Sequence, residues 1–190
     1  NRMERVTEWI THLSSPNPYR KPEGMTDGEF LDHLMKEFED RITTLGAENI
    51  AAFIAEPVLA SGGVVVPPEG YQKACLELCH KHEILYISDE VVTGFGRMGH
   101  FFASEDVFGI VPDIITSAKG FTSGYIPAGV TAISEKLHQD IIDKSGDTAT
   151  FSMGFTYSGH PVAMAAALKN IEIMERDDIM GHVRKTGVHF

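Results

Sequence analysis

The sequence predicts an α/β fold built on a mostly parallel sheet with helices on both faces. Short apolar runs of strand length alternate along the chain with longer segments in which apolar residues recur at helical spacing. This alternation is typical of an open parallel sheet whose strands are joined by covering helices. The chain has 190 residues, of which 43% are apolar, so it is long enough to bury a sizeable core.

Each element follows from a local pattern. The first helix is predicted to begin at Asp27 as its cap and to end before Gly46, with apolar residues at helical spacing between them. The further helices are predicted at 71–82, 135–142 and 161–176, and the strands at 50–55, 84–88, 113–117 and 128–133. Residues 1–25 are predicted to form an irregular N-terminal segment, with a short helix around Trp9, and residues 26–190 one domain.

Charge and cysteine content exclude several classes of function. Lys and Arg number 16 against 27 Asp and Glu, a formal charge of −11, which disfavours nucleic acid and anionic membrane surfaces as partners. Cys75 and Cys79 lie four residues apart and do not form a disulfide framework. The first residues contain no charged and then apolar leader, so we expect a cytoplasmic protein.

Three ionisable residues follow three successive predicted strands. Glu56, Asp89 and Lys119 are separated by 33 and 30 residues, about one strand and helix unit each. Ligands of open parallel sheets bind just beyond the carboxyl ends of the strands, so these side chains are expected to converge on one pocket. A single such residue is more often a solvated strand end, whereas three in the same position favour a functional site.

The chemistry of these residues suggests a carbonyl reaction. Lys119 lies between small residues at the end of a buried strand, where partial burial would favour the neutral amine that forms Schiff bases. Asp89 could keep a proton on a heterocyclic nitrogen, as pyridoxal phosphate chemistry requires. A Schiff-base aldolase without a cofactor would use the same residue types.

Four motifs occur in an order that resembles the class III, omega-amino-acid type of aminotransferase. They are Ala55-Glu56-Pro57-Val58, the run from Ser88 to Arg97, the run from Ala118 to Tyr125, and Phe155-Thr156-Tyr157-Ser158-Gly159-His160-Pro161. The resemblance covers most of the chain from about Ala51 to Glu175, and its last motif is most similar to the amine–pyruvate branch. It implies the large domain of a fold-type-I, pyridoxal-phosphate-dependent transferase. The phosphate-binding loop is then expected to precede Asn1 and the small domain to follow Phe190.

The resemblance also implies a role for each matching residue. Lys119 would form the internal aldimine with pyridoxal 5'-phosphate and then move the substrate proton, while Asp89 pairs with the ring nitrogen. Val91 would pack on one face of the ring. Thr156 would reach the cofactor phosphate of the neighbouring subunit in a homodimer, and Glu56 would pair with a mobile arginine that lets one site accept both substrates.

The implied reaction moves an amino group from an amine or omega-amino acid to a keto acid such as pyruvate. An aminomutase or decarboxylase on the same scaffold would share every motif, and a non-catalytic fragment would share them without activity. These alternatives remain open at the level of the sequence.

Two other motifs are interpreted as structural. Gly94-x-Gly96-x-x-Gly99 matches a dinucleotide fingerprint, but no helix is predicted at Gly99, so the glycines are interpreted as a loop that permits close backbone approach. Cys75, Cys79 and His82 share a helical face that also carries core residues. We therefore expect small buried cysteines there and no metal site.

Overall fold

The structure is a computed structural model that describes residues 9–145 and 153–189. Its helices are α1 (Asp27–Leu45), α2 (Tyr71–Lys81), α3 (Ala103–Asp106), α4 (Glu135–Ser145), α5 (Pro161–Arg176) and α6 (Ile179–Gly187), and its strands are β1 (Ala52–Ala55), β2 (Leu85–Asp89), β3 (Ile114–Ser117) and β4 (Val130–Ile133). Short 3-10 helices cover Pro18–Arg20, Ala47–Asn49 and Lys119–Thr122. The predicted α/β architecture is confirmed.

The four strands form one sheet in the order β1, β2, β3, β4. β1, β2 and β3 are mutually parallel, with Ala55 opposite Ser88 and Asp89 opposite Thr116. β4 runs antiparallel to β3, so that Ser117 lies opposite Val130. An antiparallel strand needs only a short connection, which is why β4 follows β3 without an intervening crossover helix.

The first helix is held by a capping box. Thr26 Oγ1 accepts from the N–H of Glu29 at 3.2 Å, and Glu29 Oε2 accepts from the N–H of Thr26 at 2.8 Å. The cap is therefore Thr26, one residue before the predicted Asp27. Gly46 ends the helix with φ +80°, a conformation that glycine adopts without strain.

The core lies between α1, α2 and one face of the sheet. Phe53 of β1 faces Tyr86 of β2 in register, and the Phe53 ring lies 4.7 Å from that of Phe38 and 5.6 Å from that of Tyr86. The buried members of this core are Phe30, Leu34, Phe38, Ile42, Tyr71, Cys75, Cys79, Ile84, Tyr86 and Ile110. On the opposite face Ile54 remains 58% exposed.

Two of the α-helices were not predicted from the sequence. α3 has only four residues, too few to show a helical period. α6 begins at Ile179 because Asp178 caps it by accepting from the N–H of Gly181 at 3.2 Å. The short helix expected around Trp9 is not seen in residues 9–17, and its earlier residues lie outside the described part.

No helix among the described residues is both long enough and apolar enough to cross a membrane.

Both cysteines belong to the core, as predicted. Cys75 and Cys79 have no exposed surface, and burial raises the pKa of each thiol to about 12. Neutral, inaccessible thiols react slowly because the thiolate is the nucleophile.

We expect neither thiol to be alkylated by iodoacetamide in the folded protein at pH 8, and both to be alkylated in urea. The thiol pKa is higher in the folded chain than in the unfolded one. The contribution of the two neutral thiols to the free energy of unfolding is therefore fully present below the unfolded-state pKa and is lost as the pH rises above about 9. Mass spectrometry measures the labelling, and urea titrations between pH 7 and 10 measure the loss. Rapid labelling of the folded protein would contradict the described core.

Candidate functional site

The three predicted strand-end residues lie along one edge of the sheet. β1 ends at Ala55, β2 at Asp89 and β3 at Ser117, so Glu56, Asp89 and Lys119 follow or end three adjacent parallel strands. Neighbouring strands are about 5 Å apart, which places the backbones of Glu56 and Asp89 side by side. The structure therefore places these three positions along one edge of the sheet, and the convergence of their side chains on one pocket stays a prediction.

The side chains of Asp89 and Glu90 lie on opposite faces of the sheet. Burial alternates along β2, with Tyr86, Ser88 and Glu90 buried and Asp89 half-buried. Because side chains of a strand alternate between faces, Asp89 faces away from the α1 and α2 core. Its Oδ1 accepts from the N–H of Val91 at 3.0 Å.

Glu90 is a fully buried carboxylate that the sequence analysis did not single out. Its Oε1 accepts from the Ser104 N–H at 2.8 Å and the Ser104 hydroxyl at 2.6 Å. Its Oε2 accepts from the Ala103 N–H at 2.7 Å and the Thr93 hydroxyl at 2.9 Å. Four donors compensate the cost of burying a carboxylate and fix the start of α3 against the end of β2. The residues of β2 do not alternate between apolar and polar types, so no periodicity in the sequence marks Glu90.

The backbone of Glu90 also joins β2 to β3. Its N–H donates to the carbonyl of Thr116 at 2.7 Å, and its carbonyl accepts from the Ser117 hydroxyl at 2.7 Å. Ser117 is buried and lies two residues before Lys119. The end of β3, from which the lysine follows, is thus tied to the residue that comes after Asp89.

Lys119 leaves the strand through a left-handed residue. Its φ is +43°, unusual for a residue with a side chain, and it begins the 3-10 helix Lys119–Thr122. Its side chain is exposed in the described structure, so the partial burial expected from the sequence is not observed. The turn removes Lys119 from the alternation of β3, which would have placed it on the buried face of Ser117. Strained backbone of this kind clusters at functional sites.

Glu56 is held by a buried amide that the sequence analysis also missed. Gln72, on α2, donates from Nε2 to the carbonyls of Glu56 at 3.0 Å and Pro57 at 3.1 Å. The Tyr86 hydroxyl in turn donates to Gln72 Oε1. Glu56 itself is half-buried, and its Oε2 accepts from the N–H of Ala60 at 3.0 Å. A glutamine on an otherwise apolar helix face was the available signal.

The two remaining predicted residues occupy different surroundings. Val91 is half-buried in the turn that follows β2. Thr156 lies in the turn before α5 with its side chain exposed, between the exposed Phe155 and Tyr157. The position of Thr156 therefore depends on the turn that leads into α5 and not on the ends of the strands.

The glycine motif after β2 forms a tight loop, as interpreted. The Phe95 N–H donates to the Phe101 carbonyl at 2.7 Å and the Gly96 N–H to the His100 carbonyl at 2.9 Å. A Cβ on Gly94 would lie 2.8 Å from the Glu90 carbonyl oxygen. No helix begins at Gly99.

Lys119 and Asp89 thus follow or end adjacent strands at the carboxyl edge of a mostly parallel sheet, the edge at which α/β enzymes bind their ligands. The comparisons with known proteins specify the family. The sequence matches the aminotransferase class-III family over residues 2–190. It therefore belongs to the class III aminotransferases.

Individual relatives agree with this assignment. The chain is 42% identical over 175 residues to putrescine–pyruvate aminotransferase of Pseudomonas aeruginosa, covering 92% of this chain and 37% of the relative. It is 46% identical to the solved (S)-enantioselective omega-transaminase of Thermomicrobium roseum, with a TM-score of 0.86, covering 94% and 39%. An amine transaminase of an uncultivated Pseudomonas species, solved with PLP bound, is 43% identical with a TM-score of 0.86, covering 93% and 40%.

The chain spans about two fifths of the length of these relatives. Its fold is that of the fold-type-I transferases, and class III aminotransferases use pyridoxal phosphate.

The residues at the strand edge fit this cofactor. Lys119 presents an exposed primary amine, and within the described residues it forms no ion pair that would occupy it. Among described hydrogen bonds, the Asp89 carboxylate accepts only from the Val91 N–H, through Oδ1. Oδ2 is thus available to a protonated ring nitrogen. The Lys119 amine and the Asp89 carboxylate match the two groups that pyridoxal phosphate requires.

We expect Gly94→Ala to lower the free energy of unfolding by about 1–3 kcal/mol, because the added Cβ would lie 2.8 Å from Glu90 O and 2.9 Å from Ser117 Oγ. These two atoms form the hydrogen bond that joins β2 to β3. Urea titration followed by circular dichroism measures the change. Gly28→Ala is the control, since a Cβ at this position in α1 meets nothing within 4 Å. Equal stability of both variants would contradict the described packing.

Proposed function

We propose that this chain, through residues 26–190, supplies the central part of the pyridoxal-phosphate-binding large domain of an aminotransferase. The reaction proposed is transfer of an amino group from an amine or omega-amino acid to a keto acid such as pyruvate. The single observation that carries the proposal is the placement of Lys119 and Asp89 at the ends of adjacent parallel strands.

Bound pyridoxal phosphate supplies an aldehyde that condenses with primary amines with loss of water, and a cationic ring that accepts electrons from the substrate carbon. We propose that the Lys119 amine holds the cofactor covalently and, once displaced by substrate, moves the proton at the substrate carbon. Asp89, on β2, would keep the ring nitrogen protonated through its free oxygen. Val91, two residues later, would pack against the ring.

The preference for an amine donor is supported by the relatives. One of them acts on putrescine and pyruvate according to its name, and the solved structures are amine and omega transaminases. We propose that Glu56 lies at the same edge to pair with an arginine outside this sequence, which would allow one site to accept both an uncharged and a carboxylate-bearing substrate. Gln72 fixes the Glu56 carbonyl in support of this role.

We also propose a homodimer in which Thr156 reaches the cofactor phosphate of the neighbouring subunit. The turn around Thr156 supports this, because Phe155 and Tyr157, on either side of the threonine, are 79% and 81% exposed. Large exposed aromatic side chains grouped in this way are typical of surfaces covered by a partner.

Lys119→Ala in the full-length protein is expected to abolish both the visible absorption band of the lysine-bound cofactor and alanine formation from an amine and pyruvate. The reason is that no other residue of the proposed site provides a primary amine. Lys136→Ala, which removes an exposed lysine of α4, is the matched control and is expected to retain both. Turnover by the Lys119 variant would refute the proposal. Formation of a decarboxylated product in place of alanine by the unmodified protein would refute it as well.

Asp89→Asn is expected to lower kcat by about 100-fold or more, since a neutral amide no longer stabilises a protonated ring. The KM for the amine should change far less, because the role concerns the electron sink and not substrate binding. Steady-state kinetics with an amine and pyruvate provide the measurement. Glu105→Gln, an exposed carboxylate of α3, is the control. An unchanged kcat in the Asp89 variant would show that this carboxylate does not serve the ring.

A further inference from the structure

The 3-10 helix that carries Lys119 has strained residues at both of its ends. Lys119 at its start has φ +43°, and Ser123 directly after it has φ +50°. Left-handed backbone is unfavourable for residues with a Cβ, so these conformations persist only where surrounding contacts impose them. The position of the Lys119 segment therefore depends on what packs against it.

One side of the segment is packed by the loop after β2. A Cβ on Gly120 would lie 2.9 Å from the Cβ of Phe95 and 3.2 Å from its carbonyl oxygen. The rings of Phe95 and Phe121 have centroids 5.3 Å apart. This contact is tight and apolar, and it prevents movement of the segment toward the loop.

The segment is also held by Asn170 of α5. Its Nδ2 donates to the carbonyl of Gly120 at 2.8 Å and to that of Phe121 at 3.2 Å, and its Oδ1 accepts from the Ser123 hydroxyl at 2.9 Å. The Asn170 side chain thus forms hydrogen bonds with three residues that follow Lys119, namely Gly120, Phe121 and Ser123. The carbonyl of Gly120 is the first acceptor after the lysine.

We propose that Asn170 is a positioning residue for the Lys119 amine. By donating to the Gly120 and Phe121 carbonyls it holds the strained segment against Phe95, and it thereby fixes where the lysine side chain leaves the backbone. This inference rests on the proposed function, because it assigns a purpose to the position of Lys119. Asn170 itself does not contact substrate or cofactor in this proposal.

The experiment measures covalent uptake of pyridoxal phosphate by the full-length apoprotein. The amine nitrogen of Lys119 bonds to the aldehyde carbon and water leaves, a step followed by the visible band and located by borohydride reduction and mass spectrometry. Asn170→Leu removes the donor without adding charge, and Asn170→Asp replaces it with an acceptor of the same shape. Both variants should slow the uptake about tenfold or more, as misplacement of a reacting group does.

Two controls separate positioning from other causes. Lys169→Ala changes the neighbouring residue of α5, which pairs with Glu172 at the surface, and should take up cofactor within about twofold of the parent rate. Ile42→Val trims a buried side chain in the core formed by α1, and reports the effect of lost stability alone. It too should leave the uptake rate nearly unchanged. In steady state, the Asn170 variants should lower kcat more than they change the KM for the amine.

Three results would overturn the inference: parent-like uptake by both Asn170 variants, slow uptake by Asn170→Asp alone, which would indicate a charge effect, or equal slowing by Ile42→Val. Lys119→Ala distinguishes this failure from failure of the proposed function. If Lys119→Ala blocks uptake while both Asn170 variants behave as the parent, only the role of Asn170 is refuted. If Lys119→Ala still binds the cofactor covalently, the proposed function and this inference fail together.

Discussion

The buried carboxylate of Glu90 is the interaction on which the arrangement of the strand ends depends. An unpaired carboxylate in a protein interior costs several kcal/mol or more, and here four hydrogen bonds from Thr93, Ala103 and Ser104 offset that cost. These donors come from the loop after β2 and from α3, so the carboxylate can be satisfied only when both segments are in place. The backbone of the same residue binds Thr116 and Ser117 of β3. One residue therefore couples the positions after two strands.

Because side chains alternate between the two faces of the sheet along β2, the adjacent residues Asp89 and Glu90 have different surroundings and different roles. Glu90 turns toward the core and stabilises the structure, whereas Asp89 turns to the other face and keeps one carboxylate oxygen free of the described hydrogen bonds. A shift of the register by one residue would exchange these roles, burying Asp89 without donors and exposing Glu90. Firm pairing of β2 with β1 and β3 is thus a condition for the site as well as for the core.

The sequence predicted the strand ends well because apolar runs that stop at an ionisable residue are a local signal, as Glu56 and Asp89 illustrate. It did not predict the residues that hold these ends. Gln72 reaches the Glu56 carbonyl from α2, and Glu90 receives its donors from α3, across separations that leave no periodic trace in the sequence. The expected partial burial of Lys119 was wrong because a left-handed backbone turns the chain out of β3, and no pattern of hydrophobicity encodes a single dihedral angle.

The lysine differs from the carboxylates in how its position is determined. Asp89 belongs to a strand, so the hydrogen bonds of the sheet place it, and its location follows from the fold alone. Lys119 lies beyond the strand, in a segment with left-handed residues at both ends, each of which costs about 1–2 kcal/mol. That cost must be met by contacts from elsewhere in the chain, and Asn170 of α5 and Phe95 of the loop after β2 provide them. The position of Lys119 can therefore be changed through these neighbours while the sheet remains unaltered.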